Sequence, residues 1–171
     1  IDADGLRHLA SIPLSLWERA GVRAGDVLSL SKQVRSPAVL TPRPGEMSAL
    51  TGVSREEIQN DRQAVAEKYA KAWGHVVVLK GAFTVIASPD GRTAIIPVAT
   101  PALARAGTGD VLAGLIVGLR AQGVDAYEAA VAGAYIHAQA GLHAAELIGT
   151  SASVLARDVL NAIPEIISEL E

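Results

Sequence analysis

Apolar residues recur along the chain in two patterns, which together predict an alternation of strands and helices. The apolar run at 38–40 and the segment 75–79, in which His75 precedes four apolar residues, are typical of strands that are buried on both faces of a parallel sheet. Apolar segments at 83–87 and 94–98 flank the turn sequence Pro89-Asp90-Gly91, and this arrangement predicts a hairpin. Four strands are therefore expected between residues 38 and 98.

Helical spacing of apolar residues predicts five helices. They cover residues 46–50, 54–73, 108–122, 125–148 and 154–170. Ser54-Arg55-Glu56-Glu57 is a capping box that begins the second helix, and Gly74 is a natural stop for it. The apolar positions of that helix are Ile58, Val65, Tyr69, Ala72 and Trp73. Pro164 is expected to break the last helix, because proline has no N–H to donate.

The order of these elements predicts an α/β fold with a mostly parallel central sheet and helices on both of its faces. The chain begins with Ile1-Asp2, which looks like the end of a buried strand, followed by a helical stretch at 6–9 and a connecting region at 11–36. Residues 1–171 are therefore expected to form the C-terminal portion of a single domain. We expect the missing N-terminal segment of that domain to be needed for solubility and activity, since the sheet would otherwise expose an edge.

Composition narrows the class of protein. Half of the 171 residues are hydrophobic and 19% are charged, which is typical of a folded domain rather than a disordered chain. The net charge of −3 argues against a general affinity for nucleic acid or acidic membranes, and no apolar run is long enough to span a bilayer. The absence of cysteine excludes disulfides and thiolate metal sites and fits a reducing cytoplasm.

The strongest chemical motif is the segment 106–114, in which Gly107 and Gly109 flank Thr108 directly before an apolar helix. The unpaired N–H groups and the dipole of such a helix form a site for an anion, and phosphate suits it best. Asp110 stands at the mouth of this site, where a carboxylate can act as general base toward a substrate hydroxyl. A plain helix cap is the alternative role for Asp110, and spacing alone does not separate the two.

Two further loops follow predicted strands. Lys80 ends the strand before it and could contact phosphate as a point charge, with a glycine and a threonine nearby. The loop 41–46 is held by two prolines and a glycine, and it offers Arg43 and Glu46 to a ligand. A solvated lysine and an ordinary strand-to-helix turn are the alternatives. Because ligands bind beyond the carboxyl ends of parallel strands, we expect the three loops to converge.

These motifs resemble those of the ADP-dependent NAD(P)H-hydrate dehydratase family, within the ribokinase-like superfamily. The segments that carry the resemblance are 2–6, 41–46, 77–82 and 106–114, so it runs through essentially the whole chain. The glycine motif alone is typical of the superfamily, and the other two loops point to the dehydratase branch. The resemblance implies a ribokinase-like fold and a repair enzyme that dehydrates the S-form of hydrated NADH or NADPH, using ADP or ATP together with Mg²⁺.

The same resemblance implies roles for individual residues. Those expected to line the adenine nucleotide are Lys80, Gly81, Ala82, Phe83, Thr84, Gly107, Thr108 and Gly109. Asp110 would deprotonate the hydroxyl of the hydrate, which Arg43 and Glu46 would also contact. The resemblance further implies a cytoplasmic homo-oligomer.

No dedicated metal ligand is expected in the chain. The four histidines lack ligand-like spacing and are interpreted as structural or solvated; they are His8, His75, His137 and His143. The alanine-rich helical segment at 127–145 is interpreted as a site of close helix packing or of contact between subunits.

The chain departs from the family pattern at Arg43, where members usually carry histidine. Arginine can bind a phosphate bidentately but cannot act as a neutral acceptor, so contact of residue 43 with the substrate is in question. Two other functions stay open. One is a ribokinase-like kinase that phosphorylates an alcohol of a vitamin precursor with Asp110 as base, and the other is a degenerate nucleotide-binding module. A stable phosphorylated product would indicate the kinase, whereas recovered NADH absorbance would indicate the dehydratase.

Overall fold

A computed structural model describes residues 37–171. The predictions made for residues 1–36 lie outside the described part of the chain. They concern the strand stub, the helical stretch at 6–9, the connecting region and His8.

Four strands form one sheet in the described residues. They are β1 (Val39–Leu40), β2 (Val76–Leu79), β3 (Val85–Ala87) and β4 (Thr93–Ile95), in the spatial order β1-β2-β3-β4. β1 and β2 pair in parallel with Val39 opposite Val76, whereas β3 and β4 form the predicted hairpin and pair antiparallel. Within residues 37–171 the single parallel pairing is that of β1 with β2, because the hairpin adds two antiparallel strands beside it.

Six α-helices accompany this sheet in the described residues. They are α1 (Pro44–Thr51), α2 (Arg55–Asn60), α3 (Arg62–Trp73), α4 (Thr108–Ala121), α5 (Ala126–Ile148) and α6 (Ala156–Leu170), with short 3₁₀ turns at Pro101–Leu103 and Ser151–Ser153. Among residues 37–171, none of the helices combines the length and the apolar character needed to cross a membrane.

The sheet is covered by helices on both faces, as predicted. Alternate residues of a strand point to opposite faces. Val76 and Val78 accordingly pack against α4 and α5, and Val77 and Leu79 pack against α1, α2 and α3. Lys80 is the next position on the face of Val76 and Val78, so the strand directs its side chain toward the start of α4.

The prediction of one long helix over 54–73 is wrong. The capping box is present, since the Ser54 hydroxyl accepts the Glu57 N–H and the Glu57 carboxylate accepts the Ser54 N–H. The backbone of Asp61 then leaves the helical region, and its side chain accepts the Ala64 N–H at 2.9 Å as the cap of a new helix. Ala72, one of the predicted apolar positions, is exposed. Ala66, which was not among them, is buried.

The predicted break at Pro164 is also wrong, because α6 runs through this residue to Leu170. Proline inside a helix removes the hydrogen bond to the carbonyl four residues earlier, here that of Leu160. Both Pro164 and Leu160 lie on the exposed side of α6. Water can satisfy the orphaned carbonyl there, so the helix continues.

The alanine-rich helix α5 serves close packing, which was one of its two predicted roles. Small residues along it lie buried against α4 on one side and α6 on the other. A Cβ atom at Gly133 would lie 2.9 Å from Ile116 Cγ1, and one at Gly141 would lie 2.6 Å from Leu103 Cδ2. The absence of side chains at these two positions therefore sets how closely the neighbouring elements approach.

Candidate active site

The turn before α4 is shaped by Gly107 and Thr108. Gly107 caps the helix with a φ of 87°, a left-handed conformation that glycine adopts without strain. The buried Thr108 hydroxyl lies 2.7 Å from the Leu103 carbonyl and 2.9 Å from the Arg105 carbonyl, and it donates its proton within the turn. The side chain of Thr108 is thus turned inward, and its contribution is to fix the turn rather than to offer a hydroxyl to a ligand.

The first turn of α4 is partly exposed, since Gly109 is half-buried and Asp110 is exposed. The N–H groups of Asp110 and Val111 both donate to the Gly107 carbonyl. Gly109 lies between Gly107 and these two donors, in the first turn of the helix. Asp110 follows as an exposed residue inside the helix, and Gly107 is the cap. The alternative role of Asp110 as helix cap is therefore not observed, and its carboxylate makes no hydrogen bond to another residue of the range 37–171.

Lys80 reaches this turn from the end of β2. Its Nζ lies 3.4 Å from the position that a Cβ atom of Gly109 would occupy, so the ammonium group rests against the glycine. Burial lowers the pKa of Lys80, the charges of Glu46 and Asp110 oppose this effect, and the charge of Arg43 adds to it. The structure thus brings one ammonium group, one carboxylate and the start of a helix to one place.

The loop 81–84 continues from Lys80 in an unusual backbone conformation. Gly81 has a φ of 154° and Phe83 a φ of 53°, which is rare for a residue with a side chain. The Phe83 N–H donates to the Val98 carbonyl at 3.0 Å, and the Thr84 hydroxyl donates to the Gly81 carbonyl at 3.0 Å. The Phe83 ring is left 54% exposed beside the site.

The loop 41–46 lies next to Lys80, whose backbone N–H donates to the Pro42 carbonyl at 2.9 Å. Glu46 is buried and accepts the Arg43 backbone N–H at 2.7 Å, while its second oxygen accepts from the Arg43 guanidinium at 2.9 Å. The Arg43 side chain remains 63% exposed. Glu46 is thus engaged in holding the start of α1, and Arg43 is the member of the pair that faces outward.

The structure adds two residues that the sequence did not single out for this site. Arg62, at the start of α3, donates from its guanidinium to the Leu79 carbonyl at 2.6 Å and to the Ala82 carbonyl. His137 on α5 is buried near the turn, where burial lowers its pKa to about 4, a hydrogen bond with the Thr108 backbone opposes this, and the Lys80 charge reinforces it. Neither residue belongs to a motif, so no local signal could have found them.

The other described histidines agree with the interpretation as structural or solvated residues. The buried His75 accepts the Ala38 N–H at 3.2 Å through Nδ1 and so ties β1 to the end of α3. His143 Nε2 lies 3.0 Å from a Glu165 carboxylate oxygen between α5 and α6, away from the site.

The chain is similar to known proteins in both sequence and structure. A family model described as NAD(P)H-hydrate dehydratase matches residues 1–165. The bifunctional NAD(P)H-hydrate repair enzyme Nnr of Moorella thermoacetica is 44% identical over 171 residues, which are 100% of this chain and 29% of that protein. The chain therefore spans less than a third of the length of this relative.

Two solved structures define the fold. The ADP/ATP-dependent NAD(P)H-hydrate dehydratase of Bacillus subtilis, co-crystallised with ATP and Mg²⁺, matches with a TM-score of 0.72 and 36% identity, over 79% of this chain and 48% of that one. A ribokinase-like superfamily protein of Enterococcus faecalis matches with a TM-score of 0.65 and 25% identity, over 84% of this chain and 50% of that one. The fold is ribokinase-like, as the resemblance predicted.

Proposed function

Because the chain belongs to the NAD(P)H-hydrate dehydratase family, we propose that it forms the nucleotide-binding part of an enzyme that restores NADH and NADPH from the S-form of their hydrates, with ADP or ATP as phosphoryl donor. The observation that carries the proposal is the convergence of three groups. The Lys80 ammonium rests against Gly109 at the start of α4, and the free Asp110 carboxylate follows one residue later.

The chemistry explains why these groups belong together. Hydroxide is a poor leaving group, whereas phosphate is a good one. The terminal phosphoryl group of the nucleotide is transferred to the oxygen of the added hydroxyl, whose proton passes to Asp110. Phosphate then leaves, and loss of a proton from the neighbouring carbon restores the ring double bond. The site must therefore hold a phosphate donor against a hydroxyl, with a base at the hydroxyl and positive charge at the phosphates.

Each proposed role follows from the position of a residue. Lys80 and the Gly107–Gly109 turn bind the phosphates through an ammonium charge and the positive end of α4. The loop of Gly81, Ala82, Phe83 and Thr84 lines the rest of the adenine nucleotide. The exposed Arg43 guanidinium contacts the hydrate. The buried Glu46 orients this guanidinium through the hydrogen bonds between the two side chains.

Mg²⁺ fits this site as a companion of the nucleotide rather than as a resident of the protein. Within residues 37–171 no group of three or more histidine, aspartate or glutamate side chains is placed to hold a metal. Mg²⁺ commonly binds through substrate phosphates, several waters and only one or two carboxylates. Asp110 would supply the protein carboxylate, and the ion would neutralise charge on the phosphates.

The cellular setting belongs to the same proposal. The absence of cysteine fits a reducing compartment, so the enzyme is proposed to act in the cytoplasm. A homo-oligomeric state is proposed from the family resemblance.

The test is restoration of the reduced nicotinamide. The purified protein is incubated with hydrated NADH, Mg²⁺ and either ADP or ATP, and the absorbance of NADH is followed. We expect recovery only when nucleotide is present, and a loss of at least about 100-fold in Asp110→Asn, as for removal of a general base. The Bacillus subtilis enzyme serves as the positive control.

The competing functions give different results in the same experiment. A stable phosphorylated product without recovery of NADH would contradict the dehydratase and indicate a kinase. Nucleotide binding by both the wild type and Asp110→Asn, without turnover by either of them, would indicate a degenerate binding module.

A further inference from the structure

Arg62 holds the loop that carries Lys80. The guanidinium Nη2 donates to the Leu79 carbonyl at 2.6 Å, and Nη1 donates to the Ala82 carbonyl. These two carbonyls lie on either side of Lys80 and Gly81. A single planar cation therefore fixes both ends of the segment from which the ammonium group projects.

Gly81 is required for this arrangement. A Cβ atom at Gly81 would lie 2.9 Å from Arg62 Nη2 and 3.1 Å from Cζ, so the guanidinium would have to shift to make room for it. The φ of 154° at Gly81 also disfavours any other residue. The absence of a side chain thus lets the guanidinium lie directly against the loop backbone.

The position of Arg62 is costly for folding. A cation in the first turn of a helix opposes the helix dipole. Burial lowers the pKa of Arg62, and its Nε is buried without a hydrogen-bond partner among residues 37–171. The partners of its two Nη atoms are the neutral carbonyls of Leu79 and Ala82 rather than a carboxylate. Asp61 is the cap of α3, so the helix begins at Arg62 and places this residue in the first turn.

We propose that Arg62 is a positioning residue for nucleotide binding, which fixes the loop 80–84 so that Lys80 is held against Gly109 and the phosphate-binding turn. The inference rests on the proposed function of that site. Arg62 does not contact the reacting atoms, and it acts through Lys80 and the loop backbone.

Binding of ADP, measured by calorimetry on the whole protein, tests this role. We expect Arg62→Met to raise the Kd for ADP by about tenfold or more, because two hydrogen bonds from a charged group are lost. Arg62→Lys keeps the charge but can donate well to only one of the two carbonyls. Its Kd for ADP should therefore lie between that of the wild type and that of Arg62→Met. Lys71→Met removes a charge from an exposed position of the same helix and should leave the Kd unchanged.

Steady-state kinetics separate positioning from a purely structural role. A positioning residue changes the KM for nucleotide, while kcat at saturating nucleotide stays within about twofold of the wild type. A structural residue would instead lower the thermal midpoint and the active fraction, so that kcat falls and KM is unchanged. That second pattern would overturn the inference.

A double-mutant cycle shows whether Arg62 acts through Lys80. If it does, Arg62→Met should weaken ADP binding much less in a Lys80→Met background than in the wild type. Fully additive effects on the Kd would refute this route.

The two proposals fail in different ways. Wild-type protein that binds ADP without restoring the hydrate would overturn the dehydratase alone. An unchanged Kd in Arg62→Met would overturn the role of Arg62 alone, and wild-type protein that binds no adenine nucleotide would overturn both.

Discussion

At the scale of single residues, Lys80 illustrates how a binding site lowers the stability of the fold that carries it. Its ammonium group is partly buried at the end of β2, and burial lowers its pKa although Glu46 and Asp110 oppose the effect. A charge that is removed from water without a direct partner costs folding free energy. Among residues 37–171 the Lys80 ammonium has no hydrogen-bond or ion-pair partner, and a nucleotide phosphate would supply one, so part of the cost is recovered on binding.

Lys80→Met should separate stability from binding. We expect the ligand-free variant to be more stable by about 1 kcal/mol, since an apolar chain of similar length replaces a desolvated charge. ADP should bind at least about tenfold more weakly. Urea denaturation and calorimetry at neutral pH measure the two effects. Lys71→Met is the control: it should leave the Kd unchanged and lower stability slightly, since Lys71 lies in the last turn of α3 and a cation there stabilises the helix.

The pH dependence of stability has a definite sign. The folded-state pKa of Lys80 is lowered, so between that value and the ordinary pKa of lysine the unfolded chain binds more protons than the folded one. The stability contributed by this residue therefore rises with pH through that alkaline window. The stability advantage of Lys80→Met over the wild type should therefore shrink as the pH rises through this window. A stability advantage that widens with pH would contradict the lowered pKa of Lys80.

The residues of the site differ in how well the sequence reveals them. Lys80 follows a strand, and Gly109 and Asp110 lie in the first turn of a helix; the rule that such segments converge at one edge of the sheet predicted their meeting. Thr108 was expected at the nucleotide; its side chain is turned inward, so any contact would come from its backbone. Arg62 and His137 reach the site from helices on opposite faces of the sheet, and only tertiary packing brings them there.

At the scale of elements, caps were better predicted than interruptions. Ser54, Gly74 and Asp125 begin or end helices where their local chemistry predicts it. The break at Asp61 was missed because it falls within an otherwise continuous helical pattern. Pro164 was expected to break α6, but its local cost falls on an exposed carbonyl and the buried face of the helix continues past it.

Two helical glycines should respond oppositely to the same substitution. Gly141→Ala places a Cβ atom 2.6 Å from Leu103 Cδ2 between packed elements, so we expect a loss of about 1–3 kcal/mol in stability from overpacking. Gly118→Ala lies on the exposed side of α4, and among residues 37–171 no atom beyond the local helix backbone lies within 4 Å of the new methyl group. It should gain up to about 1 kcal/mol through helix propensity. Urea denaturation measures both, and a stabilised Gly141→Ala would disprove the close contact between α5 and the 3₁₀ turn.

At the scale of the whole molecule, the described hydrophobic clusters share elements. The four buried residues of β2 contribute alternately to the cluster under α4 and α5 and to the cluster under α1, α2 and α3. Leu103 packs against both the α4–α5 cluster and the cluster beneath α6. The proposed nucleotide site also joins the two faces, since the loop after β2 is held from α3 and meets the start of α4. Loss of one cluster should therefore destabilise the others.

This coupling predicts a single unfolding transition that ADP shifts as a whole. In a Trp17→Phe background, fluorescence reports on Trp73, which packs beside Tyr69 in the cluster under α3 with a ring-centroid distance of 5.0 Å. Far-UV circular dichroism reports mainly on the helices, and the longest of those described, α5, lies on the opposite face of the sheet. The two urea midpoints should coincide. ADP at about 100 times its Kd should raise the free energy of unfolding by about 2.7 kcal/mol with both probes. A Trp73 transition that separates from the helical one, or that alone responds to ADP, would show that the two faces fold independently and that the nucleotide site does not join them.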